Sequence, residues 1–166
     1  MATTTPKIEV RPEQHYAGIR SQVPFTELPV IIPESIVEVE NWLIQQGIAS
    51  QGSPFIRYYV INMAGKLDVE VGWLVVSPIQ GNGRIQAGSF PAGKYASLIY
   101  TGTYDKLVDG NAALIGWAEK EGIKLDSWET AAGDAFGARY ESYLTNPEEE
   151  PDQSKHETEV VIRIAD

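Results

Sequence analysis

Trp42-Leu-Ile-Gln-Gln-Gly47-Ile48 and Trp117-Ala-Glu-Lys-Glu-Gly122-Ile123 share the pattern Trp-x4-Gly-Ile at an offset of 75 residues. The same offset sets Val39 on Leu114 and Leu43 on Ala118. Ile36, Val39 and Leu43 fall at i, i+3 and i+7, the spacing of one helix face, and Leu107, Leu114 and Ala118 make the matching stripe. A glycine just past the last apolar position is a helix stop, because it accepts the left-handed conformation that closes the last turn. Pro33 suits the first turn of the first helix, where its missing N–H is not needed. Asp105 is expected at the start of the second, its carboxylate facing free N–H groups. The same motif closing two helices, in the same order of elements, points to a duplication.

Around the helices lie strands. Ile8 to Arg20 begins extended and is interrupted at Pro12; Gln22 to Pro33, with prolines at 24, 29 and 33, reads as a structured loop. Phe55–Met63 and Leu67–Val76 are aromatic or β-branched runs separated by Ala64-Gly-Lys66, a hairpin signature. Tyr95–Thr101 opens the second half; Ala138–Leu144 and Thr158–Ile164 close it, joined by the acidic, solvated stretch Asn146–His156. The expectation is one α+β domain over residues 1–166, with βαββ repeats at about 7–77 and 85–166. Each unit covers one sheet face with its helix, so two units pair with pseudo-two-fold symmetry into an antiparallel sheet with a central groove.

Composition narrows the function. Thirteen basic and 23 acidic residues give a net charge of −10, which repels phosphate backbones, so direct nucleic-acid binding is disfavoured. Such a surface draws cations, weakly and in a salt-dependent way. There is no cysteine, which excludes disulfides, thiolate metal sites and a cysteine nucleophile. His15 and His156 are the two histidines and are far apart, so a metal site is not expected, and no nucleophile elbow marks a Ser-His-Asp enzyme. Gly81-Asn-Gly83 opens no helix and reads as a turn rather than a phosphate loop. The polar start, Met1 to Lys7, has no apolar core of a signal peptide, and the longest apolar runs are strand-sized. A cytoplasmic protein with no membrane contact and no cofactor is expected.

Three stretches resemble the GyrI-like family, the effector-binding domain joined to AraC-type and some MerR-type regulators and also found alone. They are Phe90-Pro-Ala-Gly-Lys-Tyr-Ala-Ser-Leu-Ile-Tyr-Thr-Gly-Thr-Tyr-Asp-Lys-Leu107, Tyr140-Glu-Ser-Tyr-Leu-Thr-Asn-Pro147 and Thr158-Glu-Val-Val-Ile-Arg-Ile164. The resemblance covers nearly the whole chain. It implies a duplicated βαββ fold holding bulky organic compounds, often aromatic and cationic, in the central groove. It also implies an acidic anchor within Tyr-Glu-x-Tyr, here Glu141. No helix-turn-helix region is visible, so a role in transcription needs a separate DNA-binding partner.

Glu141 shares a strand face with Arg139 and Tyr143. On the residues alone it is an exposed strand carboxylate paired with Arg139, since Glu is rarely buried; the resemblance turns it into the ligand's counter-charge. Glu70 stands in an apolar strand with Gly72 on its face, which fits either a cross-strand salt bridge or close approach of a ligand. Tyr58 and Tyr143 are the strand aromatics placed beside a ligand, where they would stack on a planar or cationic group. Trp42 and Trp117 read as structural plugs, and Trp128 as a groove wall. Three functions compete: a small-molecule binder that senses or sequesters; a hydrolase of cyclopropane-type compounds, as some relatives are described, with Glu141 and Glu70 as acid and base; and, from the family name, an interaction protein that inhibits gyrase.

Overall fold

The computed structural model describes residues 2–166. In chain order the strands are β1 (Ala2–Thr3), β2 (Lys7–Arg11), β3 (Gln14–Pro24), β4 (Ser50–Ile61), β5 (Lys66–Val75), β6 (Ile85–Phe90), β7 (Gly93–Thr101), β8 (Ser127–Thr130), β9 (Gly133–Phe136), β10 (Arg139–Tyr143) and β11 (Glu157–Arg163). Helix α1 (Leu28–Gln45) follows β3, and α2 (Leu107–Lys120) follows β7. All pairings are antiparallel, in the order β1-β7-β11-β10-β4-β5-β3-β6, with β2 also on β7 and the β8–β9 ladder attached to β4.

Outward from the β10–β4 seam the strands run β4, β5, β3 on one side and β10, β11, β7 on the other. These are the corresponding strands of the units β3-α1-β4-β5 and β7-α2-β10-β11, so the sheet is a pseudo-two-fold arrangement of βαββ. Both helices end in the same hydrogen bonds. Ile48 N–H donates to Leu43 O at 2.9 Å and Ile123 N–H to Ala118 O at 2.8 Å, with Gly47 and Gly122 at φ 69° and 70°. That is the closure the repeated Trp-x4-Gly-Ile anticipates.

The helices cover the same face. α1 packs over β3, β4 and β5, and α2 over β7 and β11, which leaves β10 between them. Under α1, Val39 and Leu43 meet Ala17, Ile19, Val75 and Ile85, while Leu28 meets Ile56, Val69 and Val71; Leu107 and Leu114 cover Leu98, Tyr100, Val160 and Ile162. The curled sheet closes the other face on itself. Phe90 on β6 stacks at 4.1 Å on Tyr140 of β10, within an aromatic cluster with Tyr16, Phe55 and Tyr95.

Two sequence expectations need correction. α1 begins at Leu28, so Pro29 occupies the first turn and Pro33 lies inside the helix. The interior proline is tolerated because Leu28 and its neighbours Ile31 and Ile32 bury their side chains against the sheet, and packing outweighs one lost backbone bond. Asp105 lies in a short 3₁₀ turn, Tyr104–Lys106, before α2, and neither start is capped by a side chain. No helix among the described residues is long and apolar enough to cross a membrane.

Candidate functional site

A single row of paired residues crosses the helix-covered face: Leu98, Val160, Glu141, Ile56, Val71, Ile19 and Ile85. Glu141 is its one polar member. It stands on β10, in the gap between α1 and α2, and is only 4% exposed.

Two neutral donors hold the carboxylate. Tyr58 of β4 donates its hydroxyl to Oε1 at 2.9 Å, and Asn111 of α2 donates Nδ2 to Oε2 at 2.8 Å. Among the described residues no basic group lies within ion-pair distance of Glu141. Arg139, on the same strand face, reaches Asn111 Oδ1 instead, at 2.9 Å, with its guanidinium over the Phe136 ring at 4.7 Å. Tyr143, the next residue on that face, packs against the cluster that holds Leu28 and Ile56, as Tyr58 does, and meets the Tyr104 ring edge-on at 5.8 Å. Tyr104 in turn bonds His156 Nδ1 at 3.1 Å, and His156 Nε2 holds the Glu150 carbonyl at 2.6 Å, tying the acidic connection to the site's rim.

Burial raises the Glu141 pKa above the ordinary carboxylate value, and the bonds from Asn111 and Tyr58, with the nearby Arg139 charge, offset only part of that. Burial, reinforced by the Glu141 charge, holds Tyr58 and Tyr143 well above the usual tyrosine value, so both stay neutral. Burial lowers Arg139 against the pull of Glu141. The result is a carboxyl group in an apolar, aromatic setting with no ion partner, which when ionised attracts an arriving cation with little screening.

The structure therefore brings Glu141, Tyr143 and Tyr58 together. Glu70 lies on the opposite face, in the row Tyr140–Arg57–Glu70–Arg20. There it is 3% exposed and accepts from Tyr16 and Tyr59 at 2.5 and 2.6 Å, while Arg57 donates to Tyr16 at 2.9 Å. The close approach at Gly72 is by backbone, since a Cβ there would stand 1.9 Å from the Ala17 carbonyl oxygen. Trp128 is 53% exposed on β8, a ladder that meets β4 at Val60 and Ile61 rather than at the Ile56 position of the Glu141 row. Asn111 was missed. Its signal was available: a polar residue on the buried stripe of α2, between Leu107 and Leu114. Two surface clefts, of about 210 and 460 Å³, lie by Pro12–His15 and by Gly47–Ala49, away from Glu141.

Residues 4–165 match the family described as GyrI-like small molecule binding domain. No curated protein matches the chain. Among solved structures, the C-terminal domain of EcmrR is similar at a TM-score of 0.76 and 21% identity, covering 97% of each chain. In the EcmrR–DNA complex the TM-score is 0.73 and identity 19%, with 96% of this chain covered but only 57% of that one. SAV2435 bound to tetraphenylphosphonium is similar at a TM-score of 0.61 and 8% identity, over 98% and 94% of the two chains. A hydrolase from Listeria innocua gives 0.59 and 13%, over 96% and 91%.

Proposed function

Because the chain belongs to the GyrI-like small-molecule-binding domain family over residues 4–165, we propose that it holds an apolar or aromatic organic molecule bearing a cationic group in the gap between α1 and α2. Glu141 is the counter-charge, and Tyr58 and Tyr143 flank the ligand. The observation that carries this reading is the buried carboxylate at the floor of the gap, held by neutral donors alone. A lone buried carboxylate weakens a fold, so its retention there points to a ligand. The tetraphenylphosphonium in the similarly folded SAV2435 is a compound of this class. Since Glu141 is covered in the free protein, ligand entry displaces the side chains over it, with the partly exposed Tyr58 and Tyr143 the first to move. The acidic balance of these 166 residues gives them no direct hold on DNA. Sensing or sequestration, rather than turnover, is favoured by a carboxylate whose side-chain hydrogen-bond partners, Tyr58 and Asn111, include no second acid.

Calorimetric titration of tetraphenylphosphonium into wild type and Glu141→Gln tests the reading. A charge-assisted contact contributes roughly 1.5–3 kcal/mol, so the substitution should weaken binding about tenfold to a hundredfold. Equal affinities would leave Glu141 a structural residue. Mass spectrometry of compounds that co-purify separates binding from hydrolysis: an unmodified compound supports the binder, and one with an added water assigns Glu141 to catalysis.

A further inference from the structure

Arg139 and Glu141 set opposite charges two residues apart on the strand face between the helices, about 7 Å along β10. They do not pair directly. Asn111 stands between them, giving its N–H to Glu141 Oε2 and its carbonyl to Arg139 Nη2. This amide orientation is forced, since a carboxylate only accepts and a guanidinium only donates. Arg139 is not fully served by the contact. Its Nε is buried with no hydrogen-bond partner among the described residues, and so is the Thr158 hydroxyl, which stands opposite Tyr143 in the sheet register. A buried donor without an acceptor is costly to keep.

The floor of the gap thus holds a carboxyl group satisfied by neutral donors and, beside it, a guanidinium with a donor left over, whose other acidic neighbour is Asp134. A ligand carrying only positive charge meets Glu141 but is repelled by Arg139. One that also carries an acceptor anion meets both. We propose that the site selects zwitterionic ligands: an apolar or aromatic body with a cationic group for Glu141 and a carboxylate, or a similar oxyanion, for Arg139. This inference rests on the gap being the ligand site, and it makes Arg139 a specificity-determining residue that moves the ligand class away from simple lipophilic cations. The planar guanidinium suits the task, since it binds carboxylates through paired N–H groups and stays charged when half buried.

Two phosphonium probes of nearly equal size separate the possibilities: pentyl-triphenylphosphonium, a plain cation, and carboxybutyl-triphenylphosphonium, a zwitterion at neutral pH. Wild type should bind the zwitterion about tenfold more tightly. Arg139→Gln should abolish that preference and tighten the plain cation, whereas Arg139→Lys should retain much of it; circular dichroism checks that both variants fold. Equal binding of the probes by wild type, or a preference that Arg139→Gln leaves unchanged, overturns the inference while the Glu141 dependence of the plain cation still stands. If neither probe binds and tetraphenylphosphonium does not bind either, the gap is not the ligand site and both readings fall.

Discussion

Glu141 is an ionisable group in a place that opposes its ionisation, and this has measurable consequences. Its pKa in the folded state is raised above the ordinary 4.5. The stability linked to it is therefore fully present below that value and is lost as pH rises through the folded pKa. Urea melts over a pH series should show wild type losing stability relative to Glu141→Gln from about pH 4.5 upward, and a constant difference across that window would contradict the burial argument. Binding of a cation needs the carboxylate, so affinity should rise over the same window in wild type and stay flat in Glu141→Gln. The groups facing Glu141 are Tyr58 from β4, Asn111 from α2 and Arg139 and Tyr143 from its own strand. Of these, Asn111 bonds both charged side chains. Asn111→Leu strips a donor from the carboxylate and an acceptor from the guanidinium, and should cost about 1–3 kcal/mol in denaturant titration. That Glu141 and Tyr143 share a face was legible from strand alternation. That Glu70 lies on the opposite face was not, because alternation orders the faces within one strand only. Which face of β5 continues which face of β10 is set by cross-strand register, here Glu70 with Arg57 but Glu141 with Ile56, and side chains on neighbouring strands fix that rather than local sequence.

Among the elements, helix ends were easier to read than helix starts. Gly47 and Gly122 close α1 and α2 in left-handed geometry, which a side chain disfavours, and the signal is local. Gly47→Ala and Gly122→Ala should each lower stability by about 1 kcal/mol, and thermal melts showing no loss at either would break the equivalence of the two caps. The start of α1 was hidden by three prolines whose local preference is overruled by the contact of Leu28 with the sheet, a tertiary effect that no short window contains. Gly72 is of another kind. It sits opposite Gly18 on β3, and with a Cβ 1.9 Å from a carbonyl oxygen the strands would have to part. Gly72→Ala should leave little folded protein, where Gly47→Ala leaves nearly all of it.

For the whole molecule, β10 lies under the gap between the helices, the proposed ligand site, and joins the units through its pairing with β4. Residues 1–166 are expected to behave as a single domain: no unit has a complete sheet without its partner, so unfolding should be one cooperative transition. Trp42 and Trp73 report on the first unit and Trp117 on the second, and coincident denaturation curves from variants that retain one reporter at a time would agree with this. Two separated transitions would mean that the repeats fold alone. With a net charge of −10, the chain should show no appreciable affinity for duplex DNA at physiological salt in an anisotropy titration. The duplication was visible in the sequence because each unit keeps its own helix closure, whereas the gap above β10 emerges only when the two units are set side by side. The most direct test of that gap is a crystal structure of the protein with tetraphenylphosphonium. The cation should lie between α1 and α2, over β10, with the Glu141 carboxylate as its nearest anion. A cation seated in the cleft by Pro12–His15 or against Gly47–Ala49, with Glu141 still covered, would contradict it.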